Sequence, residues 1–144
     1  MEIKKISEDI HANALVKGFW KSEDMIPRMK ECGLFTEKEI IDLESALVSR
    51  KLLLIASEIT EAMEADRKGR YMKTELKVAM DWANDKDFVQ SFERNVKDTF
   101  EDEISDAVIR IFDLARRRNI NLEAHIEAKC RYNKTRDYMH GKKY

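Results

Sequence analysis

The sequence predicts an all-α chain. Three observations predict it. There is a single proline and only four glycines in 144 residues. Glutamate, lysine, alanine, leucine and methionine are abundant, all of them good helix formers. Apolar residues recur at intervals of three and four, the period of an amphipathic helix. The length suits one domain or one subunit with a moderate core, so residues 1–144 are expected to form a single helical domain. Lys plus Arg number 27 and Asp plus Glu 28, a net charge of −1, and nothing global suggests a nucleic acid polymer or an anionic membrane as partner. No apolar run approaches the roughly 20 residues that span a bilayer. The first residues do not read as a signal peptide, and the expected setting is cytoplasmic. Cys32 and Cys130 have no metal-site spacing and read as two free thiols of a reducing compartment.

Residues 3–20 read as the first helix, with Ile6, Ile10 and Ala14 along one edge and His11 and Asn13 nearby. Gly18 ends or distorts it, and Phe19-Trp20 follows as a pair of core anchors, or as a wall for stacking a planar ligand. Pro27 marks a turn or a first helical turn, and Gly33 suits a helix C-terminus. Thr36-Glu37-Lys38-Glu39 is a capping box, so a long helix should start there. Its apolar pattern runs to about Lys68, and Gly69 supplies the stop. Between residues 70 and 98 the signal weakens; Phe88, Val89, Phe92 and Val96 support a short helix behind Asp85, and Trp82 has no clear place. Thr99-x-x-Asp102 is a second capping signature, which gives Asp102 a structural use. Arg116, Arg117 and Arg118 complement the dipole at the end of that helix. Asn119 is a C-cap and Asn121 starts the last helix.

Two helices carry acidic pairs at i, i+3: Glu58 with Glu61, and Glu103 with Asp106. That spacing puts both side chains of a pair on one helix face. Leu52, Ile55, Ala56, Ile59, Ala62 and Met63 form an apolar stripe beside the first pair; Ile104, Ala107, Val108, Ile111, Leu114 and Ala115 form one beside the second. Both pairs stand at the same angular offset from their stripes. Leu47, Leu54 and Ala65 fall on nearly the same line as Glu58 and Glu61, so that row is not expected to be fully solvated. Converging carboxylates repel one another unless a cation neutralises them, and hard divalent ions such as Mg²⁺ prefer oxygen ligands of this kind.

In the last helix, Lys129, Asn133 and Arg136 are spaced i, i+4, i+7, and the chain closes on His140-Gly141-Lys142-Lys143-Tyr144. An ammonium, an amide and a forked guanidinium suit phosphate oxygens, although such a face is also common on solvated helices. There is no P-loop, no G-x-G-x-x-G and no nucleophile elbow. A carboxylate-bridged di-iron bundle needs two Glu-x-x-His motifs. Glu8-x-x-His11 is one, but Leu122 stands where the partner of His125 would have to be.

Glu58-x-x-Glu61 followed by Glu103-x-x-Asp106 resembles the signature of the MazG-like, all-α nucleoside triphosphate pyrophosphohydrolases. The likeness continues through Asp106-Ala-Val-Ile-Arg-Ile-Phe-Asp-Leu-Ala115, Asn119-Ile-Asn-Leu122 and Lys129-Cys-Arg-Tyr-Asn-Lys-Thr-Arg136 to the closing His-Gly-Lys-Lys-Tyr. It covers residues 10–144 with a gap in the middle, because the interval between Glu61 and Glu103 is longer than is usual in that family.

The resemblance implies a bundle of about four helices that forms a homodimer or homotetramer. It implies Mg²⁺, replaceable by Mn²⁺, held by Glu58, Glu61, Glu103 and Asp106. It implies phosphate contacts from Lys129, Asn133 and Arg136, and base contacts from His11 and Trp20. The reaction it implies is hydrolysis of a nucleoside triphosphate between its α- and β-phosphates, giving a nucleoside monophosphate and pyrophosphate. The metal neutralises phosphate charge and acidifies water, and Glu58 or Glu61 takes the proton as general base. A narrow dUTPase-like or dCTPase-like enzyme, or a helical interaction module without catalysis, are the alternatives.

Overall fold

A computed structural model describes residues 3–81 and 83–137, so Trp82 and the closing basic segment lie outside the described residues. All regular structure among the described residues is helical. The order is α1 (Ile3–Val16), α2 (Lys21–Asp24), α3 (Ile26–Glu31), α4 (Glu37–Arg67), α5 (Leu76–Ala79), α6 (Asp85–Asn95), α7 (Phe100–Arg117) and α8 (Leu122–Lys134). The chain divides into two compact units: residues 1–19 with 112–144, and residues 20–111. Helix α7 carries residues of both.

The larger unit is built on α4, 31 residues long and hence about 46 Å from end to end. Its start is the expected capping box. Thr36 Oγ1 accepts from the Glu39 backbone N–H at 3.3 Å, and the Glu39 carboxylate accepts from the Thr36 backbone N–H at 2.7 Å. The Thr36 N–H, together with the Thr36 hydroxyl that donates to Glu39 Oε2 at 2.8 Å, holds the Glu39 carboxyl below its usual range. Its end is set by Gly69 at φ 64°, a left-handed conformation open to a residue without Cβ. There the Arg70 N–H reaches the Ala65 carbonyl at 2.8 Å and the Gly69 N–H the Asp66 carbonyl at 2.9 Å, which satisfies two of the last carbonyls of the helix. Pro27 falls in the first turn of α3, where its missing N–H costs nothing.

Helix α3 packs on the first half of α4 through Ile26, Ile40 and Leu47, with Met29 and Leu43 against them. Ile40, Leu43 and Leu47 are three and four residues apart, so one stripe of α4 meets one partner. We expect Leu47→Ala to cost about 2–4 kcal/mol, the usual range for a truncated buried leucine. The check is a lower urea midpoint with an unchanged slope. Beyond α3, Glu23 lies 3.7 Å from the Lys51 ammonium, which in turn sits 4.0 Å over the Trp20 ring.

The weakly patterned stretch forms α5 and α6. Asn84 caps α6 by accepting from the Asp87 N–H at 3.0 Å. Ser91 is buried; its hydroxyl accepts from the Asp81 N–H at 3.0 Å and donates to the Phe88 carbonyl, and Asn95 donates to the Ala79 carbonyl at 2.8 Å. Three polar side chains therefore fix this turn, which is why apolar periodicity signals it poorly.

In the smaller unit the expected first helix stops at Val16 rather than running to residue 20. Gly18 turns left-handed, and the Phe19 N–H closes back onto the Ala14 carbonyl at 3.0 Å. Asn119 plays the same part after α7 at φ 54°, with the Ile120 N–H on the Ala115 carbonyl at 2.9 Å. Asn121 caps α8 through Ala124 N–H at 3.2 Å.

The apolar stripes beside the acidic pairs are covered only in part: Ala62 on α4 and Ala107 and Ala115 on α7 are buried, while Leu52, Ile59 and Met63 on α4 and Ile104, Val108 and Ile111 on α7 are exposed. Burial on α4 takes Ile40, Leu47, Glu58, Ala62 and Ala65, and on α7 Glu103, Ala107 and Ala115. Short alanine side chains are covered by whatever lies above them, while the large flanking residues project outward. The carboxylate row is thus partly inside the protein, as its line of leucine and alanine neighbours predicts.

Candidate functional site

Helix α7 is set in place at its first turn. Thr99 Oγ1 accepts from the Asp102 N–H at 3.4 Å, and the Asp102 carboxylate accepts from the Asp98 N–H at 3.0 Å. Asp102 is therefore used as a cap. The chain just after α4 is fastened to the same turn. The Phe100 N–H donates to the Arg70 carbonyl at 2.9 Å, the Met72 N–H to Glu101 Oε2 at 3.1 Å, and the Tyr71 and Phe100 rings lie 5.5 Å apart. The Tyr71 hydroxyl also hydrogen-bonds Asp66. These links lie in the stretch whose part in the site the sequence leaves open.

With α4 and α7 so joined, Glu58, Glu103 and Asp106 converge. Each offers an oxygen, and the three oxygens lie within 4.8 Å of one another. Glu58 is 5% exposed and Glu103 7%, whereas Asp106 is exposed. Burial above all, then the charges of Glu61, Asp102, Glu58 and Asp106, pushes Glu103 from 4.5 up to about 7. Burial likewise raises Asp106, helped by Asp102 and Glu58 and opposed by Arg110. Glu61 is exposed and stands outside the tight trio, but its charge is felt at Glu103.

The expectation from sequence assigns no role to Arg110, which is half-buried. Its Nε donates to Glu58 Oε1 at 2.6 Å, and its Nη2 lies 2.6 Å from the same oxygen as an ion pair. The signal that points to it is spacing: Glu103, Asp106 and Arg110 fall at i, i+3, i+7 on one face of α7.

The other candidates are placed as follows. His11 Nδ1 lies 2.6 Å from Asp113 Oδ1, both side chains largely covered, within the smaller unit. Trp20 is buried, 3% exposed, with the Lys51 ammonium over its ring. That is the position of a core anchor. Lys129 and Asn133 are exposed on α8, in the smaller unit. Arg136 is also exposed, but α8 ends at Lys134, so the three do not form one continuous helical face. The helix stops because Thr135 turns its hydroxyl back onto the Tyr132 carbonyl at 2.7 Å. The Arg136 N–H still reaches the Asn133 carbonyl at 3.2 Å, and the Lys129 and Arg136 charges approach the Tyr132 ring at 5.1 and 5.9 Å. Cys32 and Cys130 are exposed free thiols.

The trio is a hard, oxygen-only donor set of the kind divalent cations prefer. A largely buried carboxylate whose pKa is raised by burial and by neighbouring negative charges is poorly served by protein alone. The residues present therefore fit a divalent metal ion. Comparison of the chain with protein-family models, with curated proteins and with solved structures found no match.

Proposed function

We propose that the protein is a Mg²⁺-dependent nucleoside triphosphate pyrophosphohydrolase of the MazG-like type, acting in a cytoplasmic nucleotide pool. The observation that carries the reading is the convergence of Glu58, Glu103 and Asp106 from two helices, with Glu58 and Glu103 largely buried. The resemblance of the C-terminal residues 119–144 adds the substrate class.

Glu58, Glu103 and Asp106 hold the metal in this reading, with Glu61 beside them. A divalent ion there supplies neutralisation of phosphate charge and acidification of water. Glu61, exposed at the edge of the trio, or Glu58 accepts the proton of the attacking water at a carboxylate oxygen. Lys129, Asn133 and Arg136 are the proposed phosphate contacts, and His11 and Trp20 the proposed base contacts. For His11 the bond to Asp113 fixes the ring before any ligand arrives.

The reading includes a homodimer or homotetramer. What supports it is the pair of exposed apolar stripes, Leu52, Ile59 and Met63 on α4 and Ile104, Val108 and Ile111 on α7, which a second copy of the chain would cover. Among the described residues no helix is long and apolar enough to cross a membrane, so these stripes are not spanning segments.

The test is a panel of standard and modified nucleoside triphosphates with Mg²⁺, Mn²⁺ or chelator. Pyrophosphate and the monophosphate are expected from at least one of them, only with metal. Orthophosphate as sole product would contradict the reading. Strict selection of dUTP or dCTP would narrow it to the dUTPase-like or dCTPase-like case.

A further inference from the structure

The trio of Glu58, Glu103 and Asp106 is not without positive charge of its own. Arg110 stands one turn beyond Asp106 on α7; its Nε donates to Glu58 Oε1 at 2.6 Å, and its Nη2 is ion-paired with that oxygen at 2.6 Å. A guanidinium usually grips a carboxylate with its fork spread over both oxygens. Here the Nε bond and the close approach of Nη2 are both to Oε1, on a carboxylate that converges with those of Glu103 and Asp106. The partners also differ in freedom. The Glu58 side chain is 7% exposed, while the Arg110 side chain is 35% exposed and has water to withdraw into. Glu103, almost completely buried, receives no share of this guanidinium among the described contacts.

From this we infer that Arg110 is the resident counter-cation of the cluster: it holds Glu58 in the metal-free protein and gives way when a divalent cation binds Glu58, Glu103 and Asp106. The inference rests on the reading of that trio as a metal site. It adds that metal entry is an exchange of cations. A guanidinium and a divalent ion cannot both take full advantage of one buried carboxylate, because like charges a few ångströms apart in a poorly solvated place repel strongly. Arg110 thereby lowers the affinity for metal alone. It also spares the metal-free protein the repulsion of three unscreened carboxylates. A metal ion that arrives with a triphosphate brings further ligands of its own and overcomes the exchange more easily than the bare ion.

The experiment is titration of the full chain with Mn²⁺ alone, the free ion being read by electron paramagnetic resonance, alongside melting without metal. Arg110→Gln is expected to bind Mn²⁺ roughly ten- to hundredfold more tightly than wild type, the factor that corresponds to one charge-assisted hydrogen bond no longer broken on entry. Without metal it should melt at a lower temperature. A merely structural role for Arg110 would lower melting but could not tighten metal binding. Arg110→Lys, which keeps the charge and loses the Nε hydrogen bond, should bind Mn²⁺ with an affinity between the two. It also serves as the readout if the glutamine variant does not fold. Mn²⁺ binding by wild type with equal or weaker binding by both variants overturns the role of Arg110 and leaves the metal site standing. Absence of Mn²⁺ binding in all three proteins removes the metal site, and the inference with it.

Discussion

Glu103→Gln is expected to lower pyrophosphate release by orders of magnitude while leaving the metal-free protein as stable as wild type, or more so. The substitution keeps side-chain size and helix propensity. It removes one negative charge from a place where burial and four neighbouring carboxylates already oppose ionisation. A core residue that matters only for packing behaves in the opposite way, losing stability first. The stabilisation that Mg²⁺ gives the wild type by mass action should shrink in the variant, because one of three converging ligands has gone. Melting with and without Mg²⁺, measured beside a pyrophosphate assay, separates these effects. Full activity with an unaltered Mg²⁺-induced shift would take Glu103 out of the site.

Stability and metal binding should also respond to pH in opposite directions. Glu103 is raised from 4.5 to about 7, so between those values the folded protein binds protons that the unfolded chain does not. Metal-free stability should therefore grow as pH falls from about 7 toward 4.5 and be lost as pH rises through the same window. Asp102 and Asp106 are shifted in the same direction and add to the slope. With allowance for solvent screening, the Glu103 contribution is about 1–2 kcal/mol. A metal ion requires the deprotonated carboxylate, so the Mg²⁺-induced shift in melting and the turnover should instead fade as pH drops below about 7. Melting curves between about pH 5 and 8, with Mg²⁺ or with chelator, show both trends. In Glu103→Gln the metal-free slope should be reduced. A wild-type slope unaffected by the substitution would assign the pH response to other groups.

Much of this arrangement is legible in the residues. The capping box at Thr36, the stops at Gly69 and Asn119 and the cap at Asn121 each depend on a local hydrogen bond that a short motif specifies, and those helix ends fall where the motifs put them. The burial of Glu58 follows from its line with Leu47 and Ala65 on α4. The rest depends on contacts between distant residues or on chemistry that periodicity does not carry. Which apolar stripe is covered on α4 and α7 is decided by neighbours, and the large residues at 52, 59, 63, 104, 108 and 111 point outward. Ser91 and Asn95 organise α5 and α6 through polar bonds, where a hydrophobic pattern is uninformative. Trp20 is as strongly apolar in a core as beside a ligand, and only its position under Lys51 describes its surroundings. Arg110 looks like any charged residue of an amphipathic helix until Glu58, 52 residues earlier, is seen against it.

The central claim is that Glu58, Glu103 and Asp106 together hold a divalent cation, and equilibrium binding of Mn²⁺ tests it without any substrate. Wild type should bind Mn²⁺ saturably, Mg²⁺ should displace it, and Glu58→Gln, Glu103→Gln and Asp106→Asn should each weaken binding by tenfold or more, about the loss of one charged ligand. Glu39→Gln, a change in a capping carboxylate far along α4, should leave Mn²⁺ binding unaltered. Mn²⁺ binding that is absent from the wild type, or equal in the wild type and all three cluster variants, would contradict the claim.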